Sequence, residues 1–227
     1  MYQLKALFCV LCIAVLFSGC AGSYRTINPD RIPYQQQPEN LDAAVEVGYH
    51  YNILTELGNK KFARKEKKKN LNLVAVKITN NTDRTLIFGK DILFRTEGQL
   101  ISPVSHMRTF RTLKHKTPLF LLYLPLVHLN VTTIEQTNSG YKQRFYPVGL
   151  IVGPILSFGN MFKAHSNNKK FLKELKEYNL QDKAIKPGET VYGLLGVQKA
   201  TFKPIEAEMR VKGDKIVQDD YYIEGYE

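Results

Sequence analysis

Leu71-Asn72-Leu73-Val74-Ala75-Val76-Lys77-Ile78-Thr79-Asn80-Asn81-Thr82-Asp83 is the stretch that decides the fold class. Apolar residues alternate from Leu71 and Leu73 through to Ile78, a strand pattern, and Asn-Asn-Thr-Asp is turn chemistry. Upstream, Val45, Val47, Tyr49 and Tyr51 alternate with Glu46, Gly48 and His50, which predicts another strand. Downstream, Thr85–Phe88 and Ile92–Thr96 continue the series, and Glu97-Gly98-Gln99 makes the next turn. Much later, Ile185-Lys186-Pro187-Gly188-Glu189-Thr190 places a Pro-Gly turn directly before the apolar run Val191–Val197. Ile205–Val211 and Lys215–Tyr222 are expected as closing strands.

These phrases resemble immunoglobulin-like β-sandwiches of exported bacterial proteins. The resemblance rests on Val76-Lys77-Ile78-Thr79-Asn80-Asn81-Thr82 and on Ile185-Lys186-Pro187-Gly188-Glu189-Thr190. It implies a mainly β fold in two parts, 43–112 and 184–227. An α-containing, apolar and partly helical segment, 113–183, would interrupt the sandwich.

That interrupting segment carries two apolar runs. Pro118–Val131 reads PLFLLYLPLVHLNV and Pro147–Phe162 reads PVGLIVGPILSFGNMF. The polar stretch 132–144 between them reads as turn-like. Asn160–Leu180 shows apolar positions at Met161, Ala164, Phe171, Leu172, Leu175 and Tyr178, with lysines elsewhere, so an amphipathic helix is expected. Both runs are short for a membrane span of ~20 residues, and each contains proline. Gly149 and Gly153 permit close backbone approach. Three readings stay open: the runs cover a sandwich face, expose an apolar surface, or enter a membrane. Leu121, Leu122, Leu124, Leu150, Ile151, Ile155 and Leu156 are the candidate contacts of this segment.

The N-terminus sets the compartment. Lys5 is the only charged residue before an apolar run from Ala6 to Phe17, and Ser18 and Gly19 lead to Cys20. This is the architecture of a secretory signal over 1–19. Of three cysteines, Cys9 and Cys12 would leave with it, so Cys20 would stand alone. Leu16-Phe17-Ser18-Gly19-Cys20 resembles the bacterial lipobox, with Phe17 where that signal usually has Leu. The resemblance implies diacylation of Cys20, and two acyl chains anchor durably where one does not. No Asp follows the cysteine and no acidic cluster is present, which implies the outer membrane, on the periplasmic side. Pro29, Pro33 and Pro38 with several Gln predict an extended tether over 20–42. Val148–Pro154, Gly159-Asn160-Met161, Asn167–Lys170 and Pro187–Gly193 are, as a set, similar to small uncharacterised lipoproteins of Bacteroidota.

The 227 residues carry a net charge of +11, with 44% hydrophobic and 23% charged residues. This composition excludes wholesale disorder, and the length suffices for a core without metal or disulfides. The charge favours polyanions, and an exported compartment leaves anionic lipid or lipopolysaccharide phosphate rather than nucleic acid. The basic run Lys60, Lys61, Arg64, Lys65, Lys67, Lys68 and Lys69 is expected as a loop, either solvated or touching anionic headgroups.

Catalytic patterns are missing. His50, His106, His115, His128 and His165 form no zincin motif, and neither a G-x-S-x-G elbow nor a P-loop occurs. Asp219, Asp220 and Glu224 sit in a Tyr-rich tail, where adjacent carboxylates point to opposite strand faces. No cofactor and no metal are expected. The expectation is a lipid-anchored, non-enzymatic envelope protein contacting the membrane or an envelope protein through its insertion. A periplasmic hydrolase and a binder of small hydrophobic ligands are the alternatives.

Overall fold

The computed structural model describes residues 22–36, 44–137, 139–198 and 203–210. The expected signal over 1–19, Cys20, and the strand expected over 215–222 with its acidic tail lie outside the described residues. In chain order the elements are β1 (Gln35–Gln36), β2 (Val45–His50), α1 (Ile53–Glu56), α2 (Lys60–Lys69), β3 (Leu71–Asn80), β4 (Leu86–Ile87), β5 (Ile92–Thr96), β6 (Gln99–Ile101) and α3 (His106–Leu113). A 3-10 helix, Thr117–His128, precedes β7 (Val131–Thr137) and β8 (Gly140–Tyr146). Then come α4 (Gly149–Pro154), a π-helical turn (Ile155–Gly159), α5 (Asn160–Glu177), β9 (Ala184–Ile185), β10 (Thr190–Gln198) and β11 (Glu206–Met209). The fold is mixed: helices and several small sheets share the chain, so helix content exceeds the mainly β expectation.

The chain divides into two compact units. Of the described residues, the main unit comprises those within Tyr24–Lys114 and from Lys169 to Arg210, and the insert unit those within His115–Asn168 with Gly22 and Ser23.

The main unit is built on an antiparallel sheet in the order β1-β2-β3-β10. Its central strand is the decisive stretch of sequence, and it is buried on both faces. Val74, Val76 and Ile78 cluster with Val45, Val47 and Tyr49 of β2 and with Val191 and Leu195 of β10. Phe88, Phe94, Ile101 and Ile185, from the small sheets and their flanks, complete this cluster. Leu71, Leu73 and Ala75 instead join Ile53, Leu54, Phe62, Leu113, Phe171 and Leu175, the buried residues of the helices. A strand covered on both sides needs apolar residues of both parities, hence the near-continuous run. Each large side chain so buried contributes ~1.5–3 kcal/mol.

The turn after β3 owes its shape to Asn80, which is fully buried. Its Nδ2 donates to the carbonyls of Arg84 at 2.8 Å and Ile185 at 2.9 Å. Its Oδ1 accepts from the Thr82 amide at 2.9 Å and the Thr82 hydroxyl at 2.6 Å. The Pro-Gly turn also forms as expected. Gly188 has φ of 71°, the Glu189 amide donates to Lys186 O at 3.0 Å, and β10 starts at Thr190.

Three expectations need correction. Residues 24–36 of the expected tether pack on the main unit: Tyr24 and Ile27 are buried, and β1 pairs with β2. Tyr24 donates to the buried Glu174 carboxylate at 2.5 Å, so this segment is docked rather than a free spacer. The basic run expected as a loop is the helix α2. Lys, Arg, Ala and Glu are strong helix formers, and Lys67, Lys68 and Lys69 favour its C-terminal end. Phe62 anchors it, with its ring centroid 5.4 Å from Tyr24 and 4.8 Å from Phe171. The stretch expected as turn-like over 132–144 lies within a regular hairpin, β7–β8. Thr-rich strands score as polar while holding extended backbone well.

Candidate contact surface

The insert unit is organised around a close pair of helical segments. Gly149 and Gly153 are buried, and α4 runs against the C-terminal part of the 3-10 helix. A Cβ on Gly149 would collide with Leu126 O, and one on Gly153 would sit 2.8 Å from Val127 N. Backbone therefore meets backbone, which no larger residue permits. The Gly149 amide donates to Leu129 O at 2.8 Å and closes the pair next to the hairpin.

The buried side of this strand of chain continues through Ser157, Asn160, Ala164, Asn167 and Asn168. All are small or polar. Asn168 exchanges two hydrogen bonds with the backbone of His115, at 2.7 and 2.9 Å. Asn160 Nδ2 donates to Leu156 O at 2.8 Å across the π-helical turn. Ser157 Oγ is buried without a protein partner.

The bulky apolar residues point outward. Leu150, Ile151, Ile155, Phe158 and Phe162 are exposed on this side. The 3-10 helix has three residues per turn, so its side chains stand in three columns. Thr117, Phe120, Tyr123 and Leu126 form the half-covered column. Pro118, Leu121, Leu124 and Val127 form a second, exposed up to Leu124 with Val127 half-buried, and Leu119, Leu122, Pro125 and His128 a third, exposed throughout. No residue of this helix is buried. Apart from Met107, every exposed large apolar side chain among the described residues lies between Leu119 and Phe162. Of the apolar contacts picked from sequence, Leu121, Leu122, Leu124, Leu150, Ile151 and Ile155 are exposed, and Leu156 is half-buried. Most of the large side chains of these runs are thus exposed rather than buried as core.

The hairpin is two-faced. Its register places Thr133 opposite Arg144 and Glu135 opposite Lys142 on one face, where Arg144 and Glu135 pair at 3.6 Å. Ile134 opposite Gln143, Thr132 opposite Phe145, and Gln136 opposite Tyr141 make the other face neutral and partly aromatic. Every described side chain of both strands is exposed.

In the main unit, α2 presents Lys60, Arg64, Lys67 and Lys68 as an exposed ridge at helical spacing, with Lys69 exposed at its end. Lys61 and Lys65 are half-buried, and Lys65 donates to the Lys114 carbonyl. Underneath, Glu66 is buried and accepts from the Leu73 amide at 2.7 Å. Burial pushes its carboxyl up to about 7, against the lowering influence of that amide and of Lys67. Glu174 is also raised by burial, opposed by the bonds from the Tyr24 hydroxyl and the Ile27 amide. His106 is lowered, first by burial and then by nearby Lys176. Among the described residues no group of three or more His, Cys, Asp or Glu could hold a metal ion.

Gly149 and Gly153 were legible as a close-approach motif. Ser157, Asn160 and Ala164 were not, although they extend the same stripe at spacings of three and four. No helix among the described residues is long and apolar enough to cross a membrane. No protein-family model, curated protein or solved structure matches this chain.

Proposed function

We propose that this protein is a lipid-anchored component of a bacterial cell envelope, held through Cys20, whose insert unit is a non-enzymatic contact surface. One observation carries the reading: among the described residues, the exposed bulky apolar side chains other than Met107 are gathered in a single unit, between Leu119 and Phe162. A patch of that kind marks an interaction surface rather than ordinary solvent-facing protein. The signal-like N-terminus ending at Cys20 and the resemblance to Bacteroidota lipoproteins support an envelope setting, the periplasmic side of the outer membrane. The exposed ridge of α2 supports anionic headgroups as a further contact. In this reading the main unit derives from an immunoglobulin-like sandwich, its two layers being β2-β3-β10 and the small strands enclosing Phe88 and Phe94.

The anchor is tested by metabolic labelling with radioactive palmitate in a bacterial host. The wild-type chain is expected to carry label and to fractionate with the outer membrane. Cys20→Ser is expected to lose the label. A Cys20→Ser chain that still takes up label would sink the anchor assignment.

A further inference from the structure

We propose that the insert unit seats in the acyl region of one leaflet of a phospholipid bilayer, its helix pair immersed and its hairpin at the headgroup level. This rests on the envelope reading above and names which contact the unit makes.

The first argument is inverted packing. In water, a helix pair buries its large apolar residues and exposes small and polar ones. Here Gly149, Gly153, Ser157, Asn160 and Ala164 are buried, while Leu150, Ile151, Ile155, Phe158 and Phe162 are outside. Small residues between helices and large ones outward is the arrangement of helices solvated by lipid. It reverses along the same chain where α5 enters the main unit. There Phe171 and Leu175 are buried and Lys169, Lys170 and Lys173 lie outside or half-exposed.

A second argument concerns direction. A protein partner covers one face. One whole column of the 3-10 helix, most of a second (Pro118, Leu121 and Leu124) and the outer side of Gly149–Phe162 are exposed together, so the apolar surface extends over more than one side of the pair. A helical element apolar on most sides suits a liquid solvent of acyl chains better than a docking face.

Charge gives the third argument. No Asp, Glu, Lys or Arg occurs between Lys116 and Glu135, or between Arg144 and Lys163. His115–Asn168 holds a single acid, Glu135, against Lys116, Lys142, Arg144 and Lys163. Basic residues bracket the second apolar stretch and Lys116 precedes the first, which matches the anionic headgroup layer of one leaflet. The unit lies in the leaflet rather than crossing it. The hairpin has open edges, which hydrocarbon does not tolerate, and neither helix is long enough to span. Its charged face, with Glu135, Lys142 and Arg144, then turns to water, and Ile134, Tyr141 and Phe145 turn to lipid.

The N-terminus agrees. Asn167 Nδ2 donates to Gly22 O at 2.7 Å, which fixes that end of the chain within the insert unit.

The chain has no tryptophan, so a single one reports cleanly. Leu122→Trp places it at a position 75% exposed, and Lys68→Trp places a control on α2. Both full chains are reconstituted in vesicles of phosphatidylethanolamine and phosphatidylglycerol, with and without lipids brominated on the acyl chains. The expected result is several-fold quenching of the Leu122→Trp chain, unchanged at high salt, with the Lys68→Trp chain unquenched. Adding Leu150→Ser, Ile151→Ser and Ile155→Ser, at sites 60%, 67% and 63% exposed, is expected to reduce that quenching while thermal unfolding is unchanged. A Leu122→Trp chain that is vesicle-bound yet unquenched overturns the seating and leaves the anchor standing. If its indole is then also shielded from aqueous iodide, a second copy or a protein partner covers the unit instead. A chain that does not associate with vesicles overturns both readings. Quenching lost at high salt reduces the contact to surface lysines and overturns immersion.

Discussion

Glu66 shows what one buried acid does to a basic helix. Its neighbours in sequence are lysines, yet its carboxyl lies under α2 and accepts the Leu73 amide. Burial lifts it from an ordinary 4.5 to about 7. Between those values the folded chain keeps a proton that the unfolded chain has released. Raising pH through this window therefore favours unfolding, and the loss is complete above about 7. The interval corresponds to at most ~3 kcal/mol. Glu66→Gln keeps an oxygen for the Leu73 amide and removes the titration. The variant is expected to match wild type near pH ~5 and to unfold at higher temperature near pH ~8. Calorimetric melting across that range checks it, and parallel pH curves for the two proteins would show that Glu66 is solvated. Nothing in the string Arg64-Lys65-Glu66-Lys67 announced this, because its composition is that of a solvent face.

At the scale of elements, the sequence was readable wherever the signal was local. β2, β3, β5 and β10 follow from alternation or apolar runs, and the bends at Asn80 and Gly188 follow from turn chemistry. The amphipathic pattern of α5 also emerged with nearly its observed bounds, Asn160–Glu177. α2 escaped because its buried side amounts to Phe62, Ala63 and Glu66, too narrow for a periodicity argument. The hairpin escaped because Thr, Gln and Arg hide its alternation. The outward aim of Leu122 or Ile151 is not a local property, since an apolar run reads alike in core and in lipid. α2 offers its own test. Lys60→Glu, Arg64→Glu and Lys67→Glu alter only exposed positions, so folding is expected to be kept, with a small cost at the helix end for Lys67. If the ridge meets anionic headgroups, each site contributes ~1 kcal/mol. Low-salt affinity of the chain for phosphatidylglycerol vesicles should then fall at least ~5-fold per reversed site. Co-sedimentation measures this, and unchanged affinity would leave the ridge a solubilising face.

On the scale of the whole molecule, the two units are stabilised by different means, and this has a measurable consequence. The main unit holds two apolar clusters, with β3 shared between them. Its strand amides exchange only when much of that core opens. The insert unit has no comparable core. Its 3-10 and π-helical hydrogen bonds are poorer than α-helical ones, and its hairpin is two-stranded with exposed side chains. In water its amides therefore open at low cost. Hydrogen–deuterium exchange of the soluble protein should show fast exchange over 117–128 and 131–162 and slow exchange over β3 and β10. Lipid would change one unit alone. Immersing the outward side chains raises the cost of opening, because an unpaired amide in hydrocarbon has no water to bond. On vesicles, exchange over 117–128 and 149–162 is expected to slow strongly, while β3 and β10 keep their solution rates. A uniform slowing over both units would point to a general stabilisation by binding. Unchanged rates in the insert unit of a vesicle-bound chain would place that unit in water and assign the attachment to another part of the chain.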